Sequence, residues 1–481
     1  MKIQTHLLAS LAVLSVLAAP RVTAAAPDDG HGAFATGKYR NLFVENSRSE
    51  AEVQKRVRDA FQQLFHGDPS TQAVYYEAGS NSNGPMAYMT DIKHNDVRTE
   101  GMSYGMIICA QLDKQAEFNA LWNWSLNYLY HSDPTDPGYG FFAWQARTNG
   151  DRIAQGIAPD GESYYTMALY FAAGRWGSGK GIYNYKAEAD KLLSMMRHRQ
   201  VITGVSPRLP NGRGGGQVTA GPLFDETNKM VLFVPEIGRG PFYTDPSYHL
   251  PAFYELWARW GPAEDRDFWL GAAQNSRDYF VKVANPETGL TPHDANFDGS
   301  LRGGGRGAGG GLGPRAGATN AAAANPVPAI TNMAGTNGPR RGGAGFGGGF
   351  GGGFGAPRFE YDAFRTAGNW SVDWSWWAKD PRQHDLSDHL QAFFESKGMT
   401  NYGCQFSLDG TQTFDTRHAE GLVAINAVAS LAASNSARAK KFVDALWDTP
   451  TPSGLERYYE GLLYMMAMLH CSGEFRIYPP K

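Results

Sequence analysis

Apolar residues recur at helical spacing along most of the chain. From Glu50 onward, eleven runs set apolar side chains three and four positions apart, the period that lines one face of an α-helix. They are Ala51–Phe65, Gly101–Tyr130, Gly161–Trp176, Lys186–Arg197, Pro246–Trp260, Asp265–Val283, Gly368–Trp377, Asp385–Ser396, His418–Ala433, Ala437–Trp447 and Leu455–Cys471, with room for one more. Long loops rich in Gly, Pro, Asn and Asp separate them. No strand–helix alternation of βαβ type is visible, and no Gly-rich phosphate loop follows a strand. The pattern predicts an all-α ring or solenoid of helix pairs.

Two stretches depart from this texture. Met1-Lys2 precedes an apolar run from Leu7 to Ala19, then small residues at Thr23 to Ala26. Residues 1–26 are therefore expected to be a cleaved secretory signal, and the protein to be exported, either periplasmic or secreted. The run falls short of the roughly 18–20 apolar residues needed to cross a bilayer, and no other stretch is long enough, so no membrane span is expected after cleavage. Residues 302–357 consist of Gly tracts, Ala, Asn, Pro and Arg without an acidic residue. Such a composition buries too little apolar surface to offset its ordering entropy. It is expected to be a disordered insertion interrupting a single catalytic domain, 27–481.

Composition narrows the chemistry. Across 481 residues, 44 Lys+Arg face 47 Asp+Glu for a net charge of −3, which leaves no polycationic footprint for nucleic acid. An aromatic share of 13% exceeds ordinary packing needs and suits a groove that stacks flat rings. Cys109, Cys404 and Cys471 are too few and scattered for a disulfide scaffold or zinc site, and read as buried, inert thiols. The 12 histidines form no metal motif. Asp294 to Gly299 matches half of a calcium loop, but position 12 would be Gly305 where a bidentate Glu is required. No cofactor or metal is expected. Acyl transfer lacks its Gly-x-Ser-x-Gly elbow.

Acidic residues open several apolar helices: Glu100 in Thr99-Glu100-Gly101, Asp160 and Glu162 in Pro159-Asp160-Gly161-Glu162, Asp245 before Pro246, and Asp362 in Tyr361-Asp362-Ala363. Helix capping explains such residues in general and is the better account of Asp245. Glu100 is different, because Thr99 is available as the cap and glycines and aromatics crowd around the acid. If helix pairs close a ring, the inner helix starts converge on one mouth. Paired carboxylates in an aromatic groove are the constellation of glycoside hydrolysis, one acid protonating the leaving oxygen and the other activating water. A helix N-terminus lowers a carboxyl pKa, whereas a general acid must hold its proton; a second carboxylate such as Asp160 and an apolar wall from Tyr104 or Trp144 would raise it again.

The stretch from His94 to Met106 resembles the general-acid segment of glycoside hydrolase family 8, most closely that of its reducing-end xylose-releasing exo-oligoxylanases. The resemblance continues in order through Gly140 to Trp144, Ala158 to Glu162, Asp245 to Glu255, Tyr361 to Arg365, Gly421 to Ala424 and Ser472 to Arg476. It implies an (α/α)6 barrel and an inverting mechanism on β-1,4-xylo-oligosaccharide or a related β-1,4-glycan. Glu100 is then similar to the general acid, Asp362 to the general base, and Asp160 to the third acid that holds the distorted sugar. Tyr248 and Arg365 resemble the residues that place the water and orient the base, and Trp144 resembles a sugar-stacking tryptophan. His418 lies where exo-acting members carry a histidine that contacts the reducing-end xylose, although Arg417-His418-Ala419 lacks the proline expected after it. The insertion at 302–357 and the signal segment also depart from those members.

Three alternatives stand beside this reading: an endo-acting xylanase or glucanase of the same family, a non-catalytic carbohydrate-binding protein, and a sugar epimerase or lyase using a His or Tyr base. A pure binder needs no proton donor opposite a water activator. Deleting residues 302–357 behind a short linker is expected to leave the melting temperature and hydrolysis of short oligosaccharides nearly unchanged. A deletion variant that fails to fold would show that the segment packs.

Overall fold

The computed structural model describes residues 31–238, 241–302 and 357–481. The signal segment lies outside them, as does the insertion apart from Arg302 and Pro357. Two helical turns, α1 (Ala33–Thr36) and α2 (Leu42–Glu45), precede twelve longer helices. These are α3 (Glu50–His66), α4 (Thr99–Gln111), α5 (Gln115–Tyr128), α6 (Pro159–Trp176), α7 (Tyr185–His198) and α8 (Pro251–Trp260). They continue with α9 (Arg266–Val283), α10 (Ala363–Trp377), α11 (Arg382–Lys397), α12 (Glu420–Val428), α13 (Ser436–Asp448) and α14 (Tyr459–Cys471). The fold is mostly helical. The twelfth helix arises where the run 101–130 splits at Leu112-Asp113-Lys114, with Asp113 at φ +60°.

Burial alternates along this series. In α4 every residue except Glu100 is buried, α6 is buried from Pro159 to Gly174, and α12 from Gly421 onward. By contrast α3, α7, α9 and α13 bury one face, as amphipathic helices covering a core do. The buried helices are neighbours: α4 packs on α6 and α14, α14 on α12, α12 on α10, and α10 on α8. Tyr164 of α6 meets Phe253 of α8 edge to face at 5.3 Å. Much of the aromatic surplus is core rather than groove, for Trp122, Trp124, Trp257, Trp269, Trp370, Trp376 and Trp377 are fully buried. All three cysteines are buried and unpaired.

An all-α reading omits short β segments that occupy the loops. Val97–Arg98 pairs with Gln145–Ala146, which pairs with Arg152–Ala154. Arg358–Phe359 pairs with Gln405–Ser407, and that strand with Thr413–Asp415. Tyr243–Thr244 pairs with Ala295–Asn296. Each of these three sheets has a strand that ends just before a helix start carrying an acid, so strand pairing sets where Glu100, Asp362 and Asp245 enter the structure.

A buried ionic cluster ties α8 to α11. The Arg277 guanidinium donates to both Asp373 oxygens at 2.8 Å and to Glu255 at 2.9 Å, Lys379 holds Glu255 at 3.0 Å, and Gln383 donates to Asp373 at 2.6 Å. Arg277→Met is expected to cost about 3–5 kcal/mol, because it strands the buried Asp373 carboxylate, whereas Glu255 keeps Lys379 and Arg259. Lys441→Ala, which breaks an exposed pair with Glu395, should cost less than about 1 kcal/mol. Urea unfolding midpoints of the two variants at unchanged m-value measure the difference.

Candidate active site

Three carboxylates from three helix starts meet on one arginine. Arg365, in the first turn of α10 and 4% exposed, reaches Glu100 Oε2 at 3.0 Å and Asp160 Oδ2 at 2.8 Å through Nη1. Its Nη2 reaches Asp362 Oδ1 at 3.0 Å and donates to Ser247 Oγ at 3.0 Å. Tyr104 Oη lies 3.2 Å from Nη1. Glu100 and Asp362 thus sit on different nitrogens of one guanidinium.

Local chemistry explains why the helix starts come so close. Thr99 is not the cap of α4; Arg98 holds the N-cap position, and Thr99 is a buried first residue packed against α6. A Cβ at Gly161 would stand 2.6 Å from the Thr99 side chain, and one at Gly101 would come within 2.5 Å of the Tyr458 hydroxyl. Glycine after each acid is what lets α4, α6 and α14 approach. Tyr458 uses that approach to donate its hydroxyl to Glu100 Oε1 at 3.3 Å. Asp245 does cap, accepting from Ser247 N–H at 2.7 Å, yet its buried Oδ2 has no partner.

The remaining expected residues frame this cluster. Tyr248 is buried, stacked parallel to Phe233 at 5.7 Å, with the Arg365 guanidinium 5.9 Å from its ring. Trp144 is half-buried and accepts the Thr99 N–H on its carbonyl at 3.0 Å, so strand pairing places it beside Glu100. His418 stands apart: its Nδ1 lies 3.0 Å from the Tyr402 carbonyl, which can only accept, so Nε2 is the nitrogen left for other partners. Among the described residues no group of His, Cys, Asp and Glu is arranged to hold a metal ion.

Residues 80–220 match the model of glycosyl hydrolases family 8. The chain is 36% identical over 450 residues to the reducing-end xylose-releasing exo-oligoxylanase Rex8A of Paenibacillus barcinonensis, covering 93% of this chain and 99% of that one. The chain belongs to glycoside hydrolase family 8. A reducing-end xylose-releasing exo-oligoxylanase of Halalkalibacterium halodurans is also 36% identical, over 94% of this chain and 97% of its own. A family 8 xylanase of Teredinibacter turnerae, solved as a catalytic mutant in complex with xylohexaose, is 44% identical with a TM-score of 0.80, covering 93% of this chain and all of that one.

Electrostatics in this glycoside hydrolase follow from too many buried acids around one cation. Burial raises the Glu100 carboxyl to about 7; Arg365 opposes the rise, and Asp362 and Asp160 add to it. Asp160 is raised by the same burial, again against Arg365. Asp245 is pushed well up by burial and by Asp362. Desolvation therefore outweighs the helix N-terminus at Glu100, leaving a carboxylic acid that keeps its proton near neutrality. Tyr458, Ser247 and the buried carboxyl of Asp245 were missed as site residues from the sequence. The Glu100-Gly101 pair pointed toward the close approach that Tyr458 uses, and the resembling segment Asp245 to Glu255 already contained Asp245 and Ser247.

Carboxyl-selective NMR titration is expected to find Glu100 half-protonated near pH 7. Arg365→Met, which removes the cation, should move that midpoint upward. An unmoved midpoint in a folded variant would mean that Arg365 does not govern the cluster.

Proposed function

We propose that this glycoside hydrolase inverts the anomeric configuration of β-1,4-xylo-oligosaccharides and releases xylose from the reducing end. The observation that carries the reading is one buried guanidinium shared by a protonatable glutamate and two aspartates at converging helix starts. Glu100, protonated up to about pH 7, gives its proton to the leaving glycosidic oxygen. Asp362, on the other arm of Arg365, removes a proton from the attacking water. Inversion requires the two carboxyl groups to stand roughly 6.5–9.5 Å apart, wide enough to admit that water. Asp160 accepts hydrogen bonds from the sugar distorted at the cleavage point, Tyr248 and Arg365 place the water, and Trp144 stacks against a sugar ring.

The six buried helices α4, α6, α8, α10, α12 and α14 and the six that cover them support an (α/α)6 barrel, with the acids at the mouth where the inner helices begin. Export to the periplasm or medium remains part of the reading, on the strength of the N-terminal segment. His418 would contact the free anomeric hydroxyl through Nε2 and exclude a further sugar. The 44% identity to a xylanase that holds xylohexaose favours a second reading, endo-cleavage.

Glu100→Gln and Asp362→Asn are each expected to lower kcat by at least about a thousandfold without unfolding the protein. Proton NMR of the first product from a β-linked oligosaccharide should show the α-anomer, and a β-anomer would sink the inverting assignment. Product analysis separates the two cleavage modes: xylose and xylopentaose as the sole early products from xylohexaose support exo action, and internal cutting of reduced xylohexaose at the rate of the free form replaces it with endo action.

A further inference from the structure

Asp362 stands in the N-cap position of α10 without capping it. Its backbone is already helical, φ −58° and ψ −34°, and its side chain accepts no hydrogen bond from the first turn. Capping residues ordinarily hold extended backbone and turn their oxygen back onto the second or third N–H of the helix. At other starts Asn41, Ser49 and Asp245 are extended and each accepts from its own helix, whereas Asp265, before α9, is helical and uncapped as Asp362 is. An aspartate that capped α10 would have its carboxylate committed to the helix end rather than to Arg365.

At Asp362, unlike Asp265, the preceding residue has a left-handed backbone. Tyr361 has φ +43°, in the left-handed region that side-chain-bearing residues seldom occupy. That reversal brings backbone carbonyls under the new helix, so that Ala363 N–H donates to Glu360 O at 3.0 Å, Phe364 N–H to Tyr361 O at 3.0 Å, and Arg365 N–H to Asp362 O at 3.1 Å. With those N–H groups satisfied by backbone, none needs the Asp362 carboxylate. The Tyr361 carbonyl accepts a second hydrogen bond, at 2.7 Å, from the Tyr459 hydroxyl. Tyr459 opens α14, and its ring lies 6.3 Å from that of Phe364.

We propose that Tyr459 is a positioning residue for Asp362: by donating to the Tyr361 carbonyl it holds the left-handed turn that leaves the Asp362 carboxylate uncapped and facing Arg365. The inference rests on the reading of Asp362 as the general base, and it assigns Tyr459 no contact with the reacting atoms. Strained backbone at a functional site persists only where its surroundings hold it in place, and a hydroxyl from another helix does so here.

Wild type, Tyr459→Phe, Tyr361→Gly and the double variant form the test, with kcat and KM measured on a linear β-1,4-xylo-oligosaccharide. Tyr459→Phe should lower kcat about tenfold and leave KM nearly unchanged, since one hydrogen bond of this kind is lost away from the sugar. In the Tyr361→Gly background the same substitution should change kcat by less than about twofold, because glycine holds positive φ without help. Tyr361→Asn, which also tolerates this region, serves the same comparison if Tyr361→Gly does not fold. Equal losses in both backgrounds, or a loss in KM alone, would overturn the proposal. Asp362→Asn is measured alongside: retained activity refutes the base assignment itself, whereas its loss with no coupling between 361 and 459 refutes only the positioning.

Discussion

One guanidinium against three carboxylates is the constraint on which the site depends. Arg365 is buried, and Glu100, Asp160 and Asp362 all reach it. A single positive charge cannot compensate three negative ones gathered on it, and moving uncompensated charge out of water is costly. The cluster lowers that cost by taking up protons, which is why burial raises Glu100 and Asp160 although a cation touches both. Acid chemistry near neutral pH is thus built from a shortage of cations.

Holding that cluster makes demands on the backbone. Three helix starts converge within reach of one side chain, and Gly101 and Gly161 remove the Cβ atoms that would keep them apart. Short paired strands before α4 and α10 fix the register with which each start arrives. Away from the mouth, the Arg277 cluster joins α8 to α11, so the far side of the structure is tied by charges that are well matched. The two clusters differ in purpose as they differ in balance: the matched one holds helices together, and the mismatched one holds a proton.

The residues proposed to select substrate differ in setting from those proposed to carry the chemistry. The carboxylates and Arg365 lie where helices begin, on rigid elements with strongly limited freedom. His418 follows the strand Thr413–Asp415 and takes its position from the Tyr402 carbonyl. Loop residues of this kind vary without disturbing the helical core.

Helical periods, the acids at helix starts and the thiols with no partner were legible in the sequence, because each depends on neighbours a few positions away. A carboxylate opening an apolar helix is anomalous within ten residues, and Glu100 stood out on that ground, while Asp160 and Asp362 were separated from Glu162 and Asp245 by the family resemblance. The break between α4 and α5 was hidden because Asp113, rather than glycine, takes the left-handed turn. The two-residue strands beside the site are too short to display an alternating period. Whether a tryptophan fills the core or faces a sugar depends on what surrounds it, and most of the large buried ones proved to be core. Tertiary structure alone decided that Tyr458 meets Glu100 across 358 positions and that Tyr459 meets Tyr361 across 98. It also decided which carboxyl keeps its proton. Hydrogen bonds across such separations, and desolvation by residues from every helix, are sums over the folded neighbourhood, and no local window of sequence contains them.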